Sequence, residues 1–225
     1  MNVPFLEAVK RGGLVLDGAM GSLLYERGVF VNRNFDEVNL SQPELVYRIH
    51  HEYLRAGAHV LEANTYGANR VRLARHGLAD QTEAINQAAV SILTRAANGA
   101  AYAAGSIGPT GLTPGEIRRS EAEIRRAYAE QARILVGSGC DLLVIETFHH
   151  PPELRLAVEA ARSATALPIV AHITPGDDGS IADGTDPRDL AREMHSWGAD
   201  VVGANCNGPA AIFAVVSQMV ETGLP

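Results

Sequence analysis

The sequence predicts an α/β fold built around a parallel sheet, and two observations support that prediction. Short apolar runs alternate with longer amphipathic stretches from one end of the chain to the other. The apolar runs are continuous and do not alternate with polar residues, which is typical of strands that helices bury on both faces. Six successive strand–helix units leave two architectures open, a doubly wound open sheet and a (β/α)8 barrel of the TIM type.

The elements follow in a regular order along the chain. The apolar runs predict strands at residues 13–18, 59–64, 101–107, 141–146, 168–173 and 200–205. The amphipathic stretches predict helices at residues 43–56, 67–76, 80–98, 120–138, 152–163, 186–197 and 209–221. Several of these helices have a proline in the first turn, where its missing N–H does no harm.

Polar residues recur where predicted strands end, and this favours the barrel. The strands end in Glu62-Ala63-Asn64, Glu146-Thr147 and Asn205-Cys206, and Asp17 ends the first apolar run. Barrel enzymes place their chemistry at the carboxyl ends of the strands. The glycines that join helices to strands also fit ordinary helix C-caps, so their repetition alone decides little. We expect Asp17, Glu62, Asn64, Glu146 and Cys206 at one edge of the sheet.

The end of the chain repeats an earlier junction. Residues 165–168 (Thr-Ala-Leu-Pro) lead directly into the fifth predicted strand, and residues 222–225 (Thr-Gly-Leu-Pro) have the same pattern. A seventh strand is therefore expected to follow. On this interpretation residues 1–225 form one barrel domain that is incomplete at its carboxyl side, with about six of eight βα units.

Composition and charge narrow the function classes. The chain has 225 residues with 46% hydrophobic and 20% charged residues, as in ordinary globular proteins. Its formal charge of −7 disfavours nucleic acid as a partner. No run approaches the ~18 apolar residues of a membrane span, and no signal peptide is visible at the N-terminus. We expect a cytoplasmic protein in which Cys140 and Cys206 are free thiols.

Two carboxylates are candidates for ligand binding, and each has an ordinary alternative. Asp17 lies between a strand and a glycine-rich turn, where backbone N–H groups approach a small ligand closely. It also fits a plain turn with an aspartate cap. Glu146 ends a buried strand and needs a partner there. That partner is a substrate ammonium group, an arginine, or water at the rim.

The sulfur and imidazole groups give an incomplete metal signal. Cys206 suits a zinc ligand or a nucleophile, although most free cysteines behave as small hydrophobes. One cysteine does not make a zinc site, and the metal-binding spacings CxxC and HxxxH are absent from the sequence. His149 and His150 are adjacent and would face apart, and Cys140 at a helix–strand junction is expected to be structural. The glycine-rich segment 105–111 lacks the order of a phosphate-binding loop.

Five segments taken together resemble the homocysteine S-methyltransferase family. They are residues 16–21 (LDGAMG), 62–69 (EANTYGAN), 105–110 (GSIGPT), 141–147 (DLLVIET) and 203–209 (GANCNGP), in family order across nearly the whole chain. The resemblance implies a (β/α)8 barrel that methylates the thiol of homocysteine to give methionine. It also implies a zinc ion held by three cysteines. Cys206 matches the first ligand, and the adjacent pair of a Gly-Gly-Cys-Cys motif is expected beyond residue 225.

The resemblance also implies roles for the site residues. Asp17 and Glu146 match the carboxylates that hold the homocysteine amino group, so they are the predicted catalytic and substrate-orienting pair. The other predicted substrate contacts are Gly18, Ala19, Met20, Asn64, Thr65, Tyr66 and Asn205. The loop at residues 64–69 looks more like the methionine synthase branch than the betaine-dependent branch. That branch implies methyltetrahydrofolate as the methyl donor, acting through cobalamin, and further folate- or cobalamin-related domains downstream.

Two other functions stay open from the residues. One is a non-catalytic module that binds an amino acid or a partner after losing the zinc site. The other is a lyase or aldolase barrel with Glu146 as the base. That enzyme would lack a Schiff-base residue, because Lys10 is the only lysine and precedes the first predicted strand.

Overall fold

The structure, a computed structural model, describes residues 3–30 and 33–225. Within this part of the chain the strands form one parallel sheet of five, in the sequential order β1 to β5. Sequential order suits a barrel segment and excludes a doubly wound sheet, whose order reverses at a central point. The strands are β1 (Val60–Glu62), β2 (Tyr102–Ile107), β3 (Leu142–Phe148), β4 (Ile169–Ile173) and β5 (Val201–Ala204).

Helices connect and cover these strands. The eleven α-helices of the described residues are α1 (Phe5–Arg11), α2 (Met20–Glu26), α3 (Val38–Ser41), α4 (Pro43–Arg55), α5 (Arg70–Ala74), α6 (Thr82–Ala97), α7 (Pro114–Arg119), α8 (Glu121–Gly137), α9 (Pro151–Ala164), α10 (Pro187–Ser196) and α11 (Pro209–Val220). The helix expected at residues 67–76 is shorter, since Asn69 caps it by accepting a 2.8 Å hydrogen bond from the backbone N–H of Arg72. None of the described helices has the length and hydrophobicity of a bilayer span.

The first predicted strand, residues 13–18, is not a full strand. It makes a single parallel bridge between Leu16 and Val60, and the Asp17 N–H donates to the Val60 carbonyl at 3.0 Å. The segment therefore runs beside β1 but is too short to form a ladder. Gly12 and Gly13 both have a φ of 78°, so an extended strand begins only after them, and α2 starts at Met20. The described sheet thus has five strands where the sequence predicted six.

Alternate strand residues face two different cores. Leu61, Leu143 and Ala171 belong to the large core between the sheet and its covering helices. Val60, Val144 and Val170 face the other way, into a smaller core closed at the amino end by residues of α1. Both faces are buried, which explains why the strands read as continuous apolar runs. The residues that follow the inward-facing set by two positions lie on the same inner face, at the carboxyl end of the sheet.

Candidate functional site

Strand periodicity brings four polar side chains to the inner face at the carboxyl end of the sheet. Successive side chains of a strand point to opposite faces, so residues two apart share a face. Val60, Ala104, Val144 and Val170 belong to the inner core. The residues two positions later are Glu62, Ser106, Glu146 and His172. Hence an aliphatic inner layer gives way to a polar one where the strands end.

Glu146 is the most extensively hydrogen-bonded group of this layer. The Ser106 hydroxyl donates to its Oε1 at 2.7 Å, and the Asn205 amide donates to its Oε2 at 2.8 Å. The Thr147 hydroxyl donates to the same Oε2 at 3.2 Å. These donors come from β2, from the end of β3 and from the loop after β5. They hold the carboxylate in one orientation.

The backbone is unusual on both sides of this carboxylate. Thr147 and Cys206 each have a φ of 62°, a left-handed conformation that non-glycine residues rarely adopt. Asn205 Oδ1 accepts a 3.0 Å hydrogen bond from the Thr147 N–H, which ties the irregular part of β3, where its register with β4 shifts, to the loop after β5. Such backbone strain persists only where the surroundings hold it, and it is common at functional sites.

Asp17 joins the site through the backbone of Glu62. Its Oδ2 accepts a 3.0 Å hydrogen bond from the Glu62 N–H. Burial raises the pKa of Asp17 to about 7; the Glu62 N–H opposes that rise, and the charge of Glu146 adds to it. Burial also raises the pKa of Glu62 well above its usual value, with Glu146 and then Asp17 as further causes. Burial lowers the pKa of His172, and the charge of Glu146 opposes that shift.

The segment from Gly18 to Met20 is pinned by Tyr53 of α4. The Tyr53 hydroxyl donates to the Ala19 carbonyl at 3.2 Å. A Cβ on Gly18 would lie only 2.9 Å from that hydroxyl oxygen, so glycine permits the close approach. Met20 begins α2 and packs beside the core of α2 and α4. The predicted contacts Gly18, Ala19 and Met20 therefore lie next to Asp17.

Asn64 and Thr65 are engaged with neighbouring loops. The Asn64 amide donates to the Phe35 carbonyl at 2.7 Å, and the Asn64 carbonyl accepts from the Asn39 amide at 2.7 Å. The Thr65 hydroxyl donates to the Ser106 carbonyl at 2.7 Å. Both side chains are buried. Their predicted substrate contacts stay predictions, and the bonds seen here tie the loop after β1 to the scaffold.

Tyr66 lies near Glu146, in the loop that follows β1. Its pKa is raised chiefly by burial; Arg72 opposes that rise, and Glu146 and then Cys206 add to it. The Arg72 guanidinium lies 4.8 Å from the centre of its ring. A Cβ on Gly108 would lie 2.2 Å from a ring carbon of Tyr66, so only glycine leaves room for the ring. The structure therefore brings Tyr66, Glu146 and Cys206 together.

The two cysteines lie in opposite surroundings. Both are free thiols, as predicted, with Cys206 exposed after β5 and Cys140 buried before β3. Burial raises the pKa of the Cys140 thiol to about 12, so it is inert near neutral pH. Within residues 3–30 and 33–225, no group of three or more His, Cys, Asp or Glu could hold a metal ion. These residues alone do not fit a zinc ion, and Cys206 is the candidate ligand among them.

Sequence reasoning assigned no role to Ser106, His172 and Tyr53, and it placed Glu62 only at the sheet edge. A period-two count from the inward aliphatic residues would have found three of them, because Ser106, His172 and Glu62 follow those residues by two. The continuous apolar runs hide which parity faces inward. Tyr53 comes from α4, and its contact with Ala19 carries no local sequence signal.

Comparisons with known proteins point to one enzyme family. The family described as homocysteine S-methyltransferase matches residues 14–225. Betaine–homocysteine S-methyltransferase 1 of Danio rerio is 33% identical over 221 residues, covering 95% of this chain and 54% of that protein. Methionine synthase of Mycobacterium tuberculosis is 29% identical over 249 residues, covering 98% of this chain and 21% of that protein.

A solved structure shares the fold. The metallated form of the Escherichia coli homocysteine methyltransferase MmuM superposes with a TM-score of 0.80 at 24% identity, covering 99% of this chain and 84% of that one. The sequential parallel sheet is thus part of a barrel, as the sequence predicted. The chain spans about a fifth to about half of the two relatives named above. Its family match nevertheless extends over nearly its whole length, and the chain belongs to the homocysteine S-methyltransferase family.

Proposed function

We propose that the chain binds homocysteine and supports the transfer of a methyl group to its thiol, which gives methionine. One observation carries this proposal: Asp17 and Glu146 lie close enough at the carboxyl end of the sheet for the charge of Glu146 to act on Asp17, and Asn205, which precedes Cys206, donates to Glu146. Two carboxylates suit the ammonium group of an amino acid, because charge-assisted hydrogen bonds are the stronger ones. Family membership supports the same substrate.

The residues of the chain have two tasks in this proposal. Asp17 and Glu146 hold the ammonium group, and the donors from Ser106 and Asn205 keep Glu146 in place. Holding the amino acid by its ammonium group orients its sulfur atom toward the methyl donor. Such orientation lowers the entropic cost of reaching the attack geometry.

Zinc dependence is a separate proposal. Cys206 is the proposed first thiolate ligand, and two further thiolates are proposed to lie beyond residue 225, in the same barrel domain. For the methyl donor we propose methyltetrahydrofolate acting through cobalamin, on the resemblance of the loop at residues 64–69 to methionine synthase. Further folate- or cobalamin-related domains and a cytoplasmic location are proposals of the same kind.

Calorimetry on the full-length protein tests the amino-acid site. L-homocysteine is titrated into the wild type and into Glu146→Gln, with Glu123→Gln on the exposed face of α8 as the matched control. Glu146→Gln is expected to lose about 1.5–3 kcal/mol of binding free energy, because a charge-assisted contact is removed. Glu123→Gln should bind like the wild type. Unchanged affinity in Glu146→Gln would exclude the proposed role.

A non-catalytic amino-acid-binding module is the second candidate. Such a module would use the same two carboxylates, Asp17 and Glu146, without a metal. The two functions differ in the full-length protein. Homocysteine binding with one equivalent of zinc and methionine formation supports the enzyme, and homocysteine binding without zinc or turnover supports the module.

A further inference from the structure

Glu62 contacts both carboxylates of the proposed ammonium site. Its backbone N–H donates to Asp17 Oδ2 at 3.0 Å. Its side-chain carboxyl is a hydrogen-bonding partner of the Glu146 carboxyl. One residue at the end of β1 therefore links Asp17, which precedes α2, with Glu146 at the end of β3.

A hydrogen bond between two carboxyl groups requires one proton between them, because two neighbouring ionised carboxylates repel each other. Glu146 already accepts hydrogen bonds from Ser106 and Asn205, and donors of this kind stabilise the ionised form. The proton therefore rests on Glu62, which then acts as the donor.

The surroundings of this pair are acidic or neutral. The charged groups that act on Glu62 are the carboxylates Glu146 and Asp17. Other titratable groups act on those two or lie beside them, namely His172 from β4, Tyr53 from α4, and Tyr66 with Cys206. Burial disfavours an ionised Glu62 in this setting.

We propose that Glu62 is a positioning residue of the amino-acid site, with a protonated carboxyl that donates to Glu146 and a backbone N–H that holds Asp17. The inference rests on the proposed function, since it takes Asp17 and Glu146 as the ammonium ligands. A neutral Glu62 leaves two carboxylates, Asp17 and Glu146, to face the ammonium group, where an ionised Glu62 would make three. Three ionised carboxylates would instead suit a divalent cation.

The first test observes the proton directly. The full-length protein is labelled with carbon-13 at the glutamate carboxyl carbons, and the Glu62 resonance is identified by its loss in Glu62→Gln. At pH 7 this resonance is expected at the chemical shift of a protonated carboxyl. A resonance that shows the ionised form at pH 7 and titrates at ordinary acid pH overturns the proposal.

The second test compares two variants with L-methionine as the probe, because methionine has the ammonium group but no ionisable thiol. Glu62→Gln keeps a neutral donor and should bind within about threefold of the wild type, whereas Glu62→Ala should bind at least about tenfold more weakly. Equal losses in both variants would mean that negative charge at Glu62 is needed. Wild-type affinity in Glu62→Ala would mean that it positions nothing. Either result overturns the proposal.

Controls keep the two tests independent. Glu123→Gln on α8 removes an exposed carboxylate and should match the wild type in both measurements. Near-ultraviolet circular dichroism checks whether the Glu62→Ala variant is folded. If this variant does not fold, the NMR result and the affinity of Glu62→Gln, which must match the wild type within about threefold, still decide the proposal. Failure of wild-type protein to bind methionine or homocysteine contradicts the proposed function, whereas the NMR titration reports on Glu62 without any ligand.

Discussion

The side-chain amide of Asn205 donates a hydrogen bond of 2.8 Å to Oε2 of Glu146, from 59 residues further along the chain. The same side chain accepts from the backbone N–H of Thr147 at 3.0 Å. Asn205 thus holds both the carboxylate and the left-handed residue beside it in β3. Its predicted contact with substrate stays a prediction, while its contact with Glu146 gives it a positioning role.

Replacing Asn205 tests that role. Asn205→Ala is expected to weaken L-methionine binding at least about tenfold, because a hydrogen bond to a charged group contributes roughly 1.5–3 kcal/mol and Glu146 loses its orientation. Calorimetry measures the change. The matched control is Asn207→Ala, since Asn207 donates to the Pro175 carbonyl instead. Equal effects of the two substitutions would contradict a specific role for Asn205.

Amino-acid binding should depend on pH through Asp17. Its pKa is raised to about 7 by burial, so below that value it is mostly protonated and does not attract an ammonium ion. Affinity for L-methionine should therefore rise with pH, by up to about tenfold per unit below pH 7, and level off above it. Asp17→Asn should bind weakly with little dependence on pH, and Asp177→Asn in an exposed loop should behave like the wild type. A flat wild-type profile would contradict the prediction.

The two cysteines should respond differently to substitution. In the full-length protein we expect one zinc ion. Cys206→Ala should abolish both zinc binding and methyl transfer. Cys140→Ala should retain both, because Cys140 is buried at the opposite end of the sheet. We also expect that residues 1–225 alone bind no stoichiometric zinc, since a zinc site needs at least three protein ligands. Metal analysis and turnover assays check these outcomes. Tight zinc binding by residues 1–225 alone would show that the ligands are misassigned.

His50 makes stability depend on pH. Its two ring nitrogens are buried in α4 and have no hydrogen-bond partner among the described residues, and burial lowers its pKa to about 4 from 6.5. The unfolded chain therefore binds a proton more readily than the folded one, so stability is lost as pH falls from about 6.5 to about 4. Chemical denaturation at several pH values should show a smaller acid loss in His50→Leu. The exposed neighbour His51→Leu should keep the wild-type dependence; an unchanged slope in His50→Leu would contradict the assignment.

The sequence alone was sufficient to predict the strands and the reactive residues at their ends, because both depend on neighbouring residues. The apolar runs predicted β1 to β5 within a few residues. Asp17, Glu146 and Cys206 were singled out because reactive side chains at strand ends are informative in any parallel sheet. The predicted strand at residues 13–18 was wrong in extent, because propensity does not show that its ladder stops at one bridge.

Tertiary structure decided how these residues act on one another. The sequence determined the order of the elements, the free thiols and the acidic groups of the site. Only the folded chain shows that Glu62 joins Asp17 to Glu146, that Asn205 supports Glu146, and that Asn64 is bonded into a neighbouring loop. The physical reason is that the parity of a strand and the contacts between distant loops depend on packing. In a continuous apolar run, the sequence does not show which alternate side chains face the inner core.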